Sequence, residues 1–286
     1  MIATLLLLLS ILQGGTADAR PHVVVRASTP LQAVTLAPEL LAAGPAQQAI
    51  APSGTVTYYV FLPLTARPEP SGCEQIPGVQ YASLSVTPQT LDAAEHPDLN
   101  LALRGYELTA AYCGLVDYGG TGDARAPQLY TLFADGRVPV FPAVYQVYDW
   151  DWGRDCRGVL LTNPPVTLAG MGVPPGEVLR LPDSGYDIGS DYEALVLYAT
   201  EGRITLSYTR EDSVVKGYTV HVENVCVEPS LLALYETLDD AGRVQLPALR
   251  GGQPFGRALG TEIRVAIRDA GTFMDPRSRK DWWQGK

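Results

Sequence analysis

The chain has 286 residues and a formal net charge of −10. Nucleic acids and anionic lipids bind clustered Lys and Arg, so this acidic balance argues against both as partners. The 28 Gly, the 23 Pro and the scarcity of long helical patterns predict a mainly β fold with many turns.

The N-terminal residues predict a secretory signal peptide. Ile2–Leu12 is mostly apolar, and Ala17-Asp18-Ala19 has the small-x-small pattern of a cleavage site, so we expect residues 1–19 to be removed. The apolar run is shorter than the about 20 residues that span a bilayer. Because no Lys or Arg precedes it, an uncleaved anchor is the alternative. The predicted location is secreted or at the extracytoplasmic cell surface, with no transmembrane segment after processing.

Composition divides the remaining chain into three parts. Residues 20–70 are rich in Ala, Pro, Gln, Ser and Thr and are predicted to be a flexible spacer. Residues 71–160 form a predicted N-terminal β-rich or α+β region, and residues 161–286 form a predicted C-terminal β domain. The sequence leaves open whether the first of these regions folds on its own.

The region before Gly158 contains two predicted elements. Ala111–Tyr118 has the composition of a buried strand. Pro127–Ala134 is predicted to be a short helix, because proline suits a first helical position and Gly136 suits the exit.

After Gly158, β-prone segments and polar turns alternate more regularly along the sequence. Pro229–Leu238 is predicted to be a helix that begins at its proline and carries an apolar stripe. The predicted strands are Val178–Leu181, Ala194–Ala199, Arg203–Tyr208, Tyr218–Val222 and Glu262–Ile267.

The four cysteines are Cys73, Cys113, Cys156 and Cys226. An even number in a secreted chain predicts two disulfides, for which three connectivities exist. We favour Cys73–Cys113 and Cys156–Cys226, because each pair lies within one half of the chain. The absence of a C-x-x-C pair argues against a zinc ribbon.

The segment Asp149-Trp150-Asp151-Trp152 is the most unusual local sequence. In an extended conformation it places both carboxylates on one face and both indoles on the other. One interpretation is an aromatic platform for a sugar ring or a peptide. The alternative is structural, with buried indoles and exposed carboxylates.

Histidines offer an alternative metal site. His221 and Glu223 alternate along a predicted strand and therefore share a face, where imidazole and carboxylate are suitable zinc ligands. A polar pair on a solvent-facing strand surface is the competing interpretation. A zinc site using His96 as well requires the two imidazoles to approach within about 4 Å. No cofactor or metal is otherwise predicted.

The C-terminal tail contains Trp282 and Trp283. Adjacent exposed indoles favour aggregation, so we expect this tail to dock back onto the domain. An exposed anchor for a partner is the alternative.

Gln253–Pro276 resembles the closing part of the lysostaphin-like zinc endopeptidases, metallopeptidase family 23. Gly256 and Gly260 precede the strand, and Ile267-Arg268 with Asp275-Pro276 keeps the ending of that motif. Upstream, Val196–Arg210 resembles the paired strands of the family. The resemblance covers about 100 of the 286 residues. It implies a small twisted antiparallel, barrel-like β domain with one short helix.

This sequence departs from the family at the zinc ligands. The H-x-H positions fall on Glu262 and Arg264, and Arg210 stands where the family has another active-site histidine. No H-x-x-x-D motif is found. A guanidinium stays protonated and does not ligate zinc. The resemblance therefore implies the fold without the activity, and we hypothesise that Glu262 pairs with Arg210 and Arg264 with Glu223 across the sheet.

Together these observations predict a secreted, non-catalytic, peptidase-like protein. Its expected role is to bind a cell-wall or surface peptide or glycan, or to scaffold an envelope assembly with another protein. The candidate binding residues are Trp150, Trp152, Arg210, Glu262 and Arg264. Two alternatives remain, namely an active secreted zinc hydrolase with non-standard ligands and a structural envelope protein without a small ligand, in which all four Trp are buried.

Overall fold

The computed structural model describes residues 73–89 and 92–286. The predicted signal peptide and nearly all of the predicted spacer lie outside these residues. Within them, no helix has both the length and the apolar character to cross a membrane. All of the described residues belong to one compact unit.

Fourteen strands and a few short helices make up the described chain, which confirms the mainly β fold. The helices are α1 (Leu101–Arg104), α2 (Pro229–Asp240) and α3 (Arg279–Trp282), with a 3-10 helix at Leu129–Leu132. The strands are β1 (Ala82–Ser85), β2 (Tyr106–Leu108), β3 (Val144–Asp151), β4 (Cys156–Leu160), β5 (Leu168–Gly172), β6 (Val178–Arg180), β7 (Ala194–Thr200), β8 (Arg203–Ser207), β9 (Tyr218–Glu223), β10 (Val225–Val227), β11 (Gln245–Leu249), β12 (Pro254–Ala258), β13 (Glu262–Asp269) and β14 (Thr272–Met274).

Most strands form one antiparallel sheet in the order β1-β11-β7-β8-β9-β13-β5-β3-β2. β14 pairs with β13, and β4 extends the sheet beside β3. A smaller sheet has the order β10-β12-β6. Because β3 pairs with β5, strands from both of the predicted regions lie side by side in one sheet.

The central strands are buried on both faces. On β9, Val220 and Val222 point into the main apolar core, where Leu231 and Tyr235 of α2 also lie. The alternate residues, Thr219, His221 and Glu223, point to the opposite face and are also buried. That face is covered by the segment 92–104, whose Leu99 carbonyl accepts a hydrogen bond from Thr205 of β8. The interpretation of His221 and Glu223 as a solvent-facing pair is therefore wrong.

Two local predictions in the first half were also wrong. Ala111–Tyr118 is not a strand. Val116 forms only an isolated bridge with Ser278, and Tyr112 is 71% exposed. Pro127–Ala134 contains only a 3-10 turn at Leu129–Leu132, since Gln128 keeps an extended backbone. The second segment instead buries Leu129, Leu132 and Phe133 in the core.

The C-terminal tail docks onto the domain as predicted. The Trp282 and Trp283 indoles are buried and donate to the carbonyls of Asp275 (2.9 Å) and Pro276 (2.8 Å). Arg277 donates hydrogen bonds to the Asp275 carboxylate from Nε (2.9 Å) and Nη2 (2.7 Å), and both side chains are buried. Asp275 and Pro276, which follow β14, thus hold the tail against the domain.

The disulfide pairing differs from the expected one. Cys73 is bonded to Cys226, 153 residues away in the sequence, whereas Cys113 and Cys156 are free and exposed. The expectation assumed pairing within each half of the chain. Because Cys226 lies on β10 in the second half, the bond instead ties the start of the described chain to the smaller sheet.

Alkylation of the native protein followed by peptide mass spectrometry is expected to label Cys113 and Cys156. The same digest is expected to contain one linked pair joining Cys73 to Cys226. Reduction of this bond is expected to lower the free energy of unfolding by about 2–5 kcal/mol, since it closes a long loop. A linked pair joining Cys73 to Cys113 would contradict this connectivity.

Candidate binding site

The segment Asp149–Trp152 forms the end of β3 and the start of the turn into β4. The Asp151 carboxylate accepts the backbone N–H groups of Gly153 (3.0 Å) and Arg154 (3.1 Å), which shapes the turn. Asp155 adopts a positive φ of 51° and accepts the Trp150 indole N–H at 3.3 Å. These two carboxylates therefore have a structural role in the hairpin.

The two indoles of this hairpin differ in exposure. Trp152 is 56% exposed, and its ring meets the imidazole of His96 edge-on, with centroids 5.8 Å apart. Trp150 is partly buried on β3. The interpretation with both indoles buried thus does not hold for Trp152, which presents a large aromatic surface to solvent beside a neighbouring ring.

A cleft of about 470 Å³ opens along the hairpin. Its walls combine one indole with several charged side chains, and Arg154 has an 82% exposed side chain. The lining residues are Asp149, Trp150, Asp151, Arg154, Cys156, Arg157, Gly158 and Val159. We call this cleft together with Trp152 and His96 the hairpin platform.

The base of the hairpin platform is anchored by a buried ion cluster. Arg104 Nη1 donates to the carbonyl of Tyr148 (3.2 Å) and to Asp149 Oδ1 (3.3 Å) on β3. The same guanidinium binds the buried carboxylate of Asp98 at 2.6 Å. Asp98 also binds Arg268 of β13 at 2.8 Å. The cluster therefore links the hairpin to the centre of the sheet.

His96 joins the exposed indole to the same cluster. Its Nδ1 accepts the backbone N–H of Asp98 at 3.1 Å, so the ring proton of the neutral form resides on Nε2. Burial lowers the pKa of His96, and this outweighs the opposing effect of the Asp98 carboxylate. At neutral pH, a neutral imidazole thus supports Trp152.

Glu262 and Arg264 form a second polar cluster. The Arg264 Nε donates to Glu262 Oε1 at 2.7 Å, and Nη1 donates to the Tyr106 hydroxyl at 2.9 Å. The Tyr145 hydroxyl donates to Glu262 at 3.0 Å. Burial alone would lower the pKa of Arg264, but the hydrogen bonds to Tyr106 and Glu262 raise it above the usual value. The two side chains share a face, as predicted, and Arg264 remains a cation.

Arg210 does not reach this cluster. Its Nε donates to the carbonyl of Ser85 on the edge strand β1, at 3.2 Å, and the side chain is exposed. The hypothesised Glu262–Arg210 pair is therefore contradicted. Arg264 lies opposite Glu223 in the register of β13 and β9, but the ion pair of Glu223 is formed with Arg203 at 3.4 Å.

The polar cluster and the hairpin platform are separate sites. Tyr145, which holds Glu262, and Trp150 both lie on β3, five positions apart. At about 3.4 Å per residue this places them roughly 17 Å from each other. The single surface expected from Trp150, Trp152, Glu262 and Arg210 is not formed.

The histidines of the alternative metal site occupy different surroundings. His221 is buried, with Nδ1 at 3.0 Å from the Thr205 hydroxyl, and its ring stacks on Phe273. His96 contacts Trp152 instead. Across residues 73–89 and 92–286, no three His, Cys, Asp or Glu side chains are arranged to hold a metal ion.

Arg104 was not identified from the sequence as a site residue. Arg104 follows Leu101, Ala102 and Leu103, and a cation beside such an apolar run indicates a buried anionic partner. The sequence contains that signal, but it does not say which carboxylate is the partner.

Comparisons with known proteins identify no relative. No family model, no curated protein and no solved structure matches the chain. The likeness to the lysostaphin-like endopeptidases therefore stays a prediction from the residues of the last third.

Proposed function

We propose that the protein is a secreted, non-catalytic binding protein for a cell-wall or cell-surface glycan, and that the hairpin platform is its binding site. The observation that carries the proposal is the exposed Trp152 indole, which meets His96 edge-on and belongs to the same hairpin as the cleft. Indole rings bury a large apolar surface in a fixed orientation, which suits the flat face of a pyranose ring.

The polar groups of the cleft favour a hydroxyl-rich ligand. Asp149 uses Oδ1 for its contacts with Arg104 and the backbone N–H of Trp150, and among the described residues Oδ2 forms no hydrogen bond. Arg154 extends into solvent. The cleft therefore contains an acceptor and a donor as well as the Trp150 indole, which suits the hydroxyl groups of a sugar.

The substitutions at the family's ligand positions favour binding over hydrolysis. Arg264 stays protonated between Tyr106 and Glu262, and a guanidinium is no zinc ligand. The alternative of a structural protein without a ligand predicted four buried Trp, whereas Trp152 is 56% exposed. Scaffolding of an envelope assembly is not required to explain the platform.

Calorimetric titration with soluble glycan strands and, separately, with cell-wall stem peptides tests the proposal. The wild type is expected to bind the glycan, and W152A is expected to lose at least about tenfold in affinity, the equivalent of 1.4 kcal/mol. Tyr112→Ala removes another exposed aromatic ring outside the cleft and is expected to bind as the wild type does.

Two outcomes would contradict this function. Equal affinities of W152A and the wild type would exclude the platform as the binding site. Binding of the stem peptides without binding of the glycan would replace the glycan with a peptide ligand.

A further inference from the structure

Two polar atoms on the buried polar face of the sheet have no hydrogen-bond partner among the described residues. They are Thr219 Oγ1 and His221 Nε2. Thr219 is 0% and His221 is 1% exposed. Both belong to β9, and since they are two positions apart their side chains leave the strand on the same face.

Hydrogen bonding identifies the tautomer of His221. The Thr205 hydroxyl has one proton, and it donates this proton to the carbonyl of Leu99 at 2.7 Å. Its oxygen can therefore only accept from His221 Nδ1, which lies 3.0 Å away. The proton of the neutral imidazole is consequently on Nδ1, and Nε2 carries a lone pair.

His221 is neutral in the folded protein. Burial lowers its pKa to about 3, and the cation of Arg268 acts in the same direction. The charged groups that face the ring are Arg268, Asp98 and Arg104, which bind one another. Among the described residues, none of the three donates a hydrogen bond to Nε2.

Leaving both atoms unsatisfied would be costly. A buried polar group without a partner loses the hydrogen bonds that it makes with water when unfolded, and nearly all such groups in folded proteins are satisfied. Thr219 supplies a hydroxyl donor and His221 a lone pair. A molecule that accepts from the first and donates to the second satisfies both.

We infer that β9 binds one internal water molecule, which accepts a hydrogen bond from the Thr219 hydroxyl and donates one to His221 Nε2. Internal waters commonly form two to four hydrogen bonds to polar groups of this kind. Both atoms are buried, so the water is an integral part of the folded protein.

Thermal unfolding of T219V distinguishes a hydrated site from a dry one by the sign of the change. Valine has nearly the shape of threonine but no hydroxyl. If a water bridges the two atoms, T219V removes one of its partners and is expected to lower Tm by about 2–4 °C. If the site is dry, T219V removes an unsatisfied hydroxyl and raises Tm, which would overturn the inference.

Two further measurements complete the test. Thr205→Val removes a hydroxyl that already has two hydrogen-bond partners, and it is expected to lower Tm. The size of this decrease shows how much Tm changes when a hydrogen-bonded hydroxyl is lost. A high-resolution crystal structure of the wild type is expected to show a water within hydrogen-bond distance of both atoms. A direct bond from Thr219 to His221, or electron density without a water, would contradict the inference even if T219V lowers Tm.

Discussion

Replacement of Asp98 by alanine is expected to lower the free energy of unfolding by about 3–5 kcal/mol, because it leaves the buried Arg268 without a carboxylate partner and leaves Arg104 only its longer contact with Asp149. Its carboxylate binds Arg104 at 2.6 Å and Arg268 at 2.8 Å, and both guanidinium side chains are 4% exposed. Burial alone would raise the pKa of Asp98, but the two guanidinium groups lower it below the usual value. Urea unfolding at neutral pH measures the change.

Asp135→Ala is the matched control for this variant. Asp135 also pairs with an arginine, Arg137 at 2.9 Å, but its side chain is 60% exposed. Exposed pairs contribute little to stability because water screens them, so this control is expected to unfold nearly as the wild type does. A loss for Asp98→Ala no larger than that of the control would show that the cluster does not stabilise the fold.

The stability of the protein is expected to fall in acid through His221. Its folded-state pKa of about 3 lies below the unfolded value of 6.5, so the unfolded chain binds the additional proton between these values. The contribution of neutral His221 to the free energy of unfolding is fully present above pH 6.5. It falls by about 1.4 kcal/mol per pH unit below this value and stops falling near pH 3. At pH 4.5 the expected loss is about 3 kcal/mol.

The variant His221→Gln measures how much His221 contributes to the loss of stability in acid. Glutamine does not titrate, so the loss of stability between pH 7.5 and pH 4.5, measured by urea unfolding, is expected to be about 3 kcal/mol smaller than in the wild type. His96→Gln is a useful comparison, because the His96 pKa is also lowered. An identical pH dependence of His221→Gln and the wild type would contradict a neutral, buried His221.

Alternation and helix signals in the second half of the chain were sufficient to predict β6, β7, β8, β9, β13 and α2, but not β5, β10, β11, β12 or β14. The predicted helix at Pro229 begins there in the structure, where the Glu228 side chain accepts the backbone N–H groups of Ser230 and Leu231. The predicted strand Glu262–Ile267 is β13, in which Ile263 and Val265 point into the core. Local patterns predict such elements because neighbouring residues determine them.

The features that the sequence did not predict depend on contacts between residues that are distant in the chain. The period-two pattern of β9 correctly places His221 and Glu223 on one face, but only the packing of the segment 92–104 determines that this face is buried. Similarly, Asp98 and Arg268 are 170 positions apart and bind each other directly. A single sequence does not identify such partners, and the same reason explains the unexpected disulfide.

The sequence predicted the hairpin platform only in part. The sequence predicted that Trp150 and Trp152 are either a binding surface or a structural pair, and periodicity alone did not decide between them. In the structure Trp150 lies within β3 and is partly buried, whereas Trp152 lies in the turn after β3 and is 56% exposed. The exposure of each indole thus depends on where the strand ends.

The most direct test of glycan binding at the hairpin platform is a titration followed through the indole N–H resonances of the four Trp. Addition of soluble cell-wall glycan is expected to shift the signals of Trp152 and Trp150, while those of the buried Trp282 and Trp283 stay unchanged. Unchanged signals from all four indoles at saturating glycan would contradict the proposed function, and shifts confined to the tail indoles would move the site elsewhere.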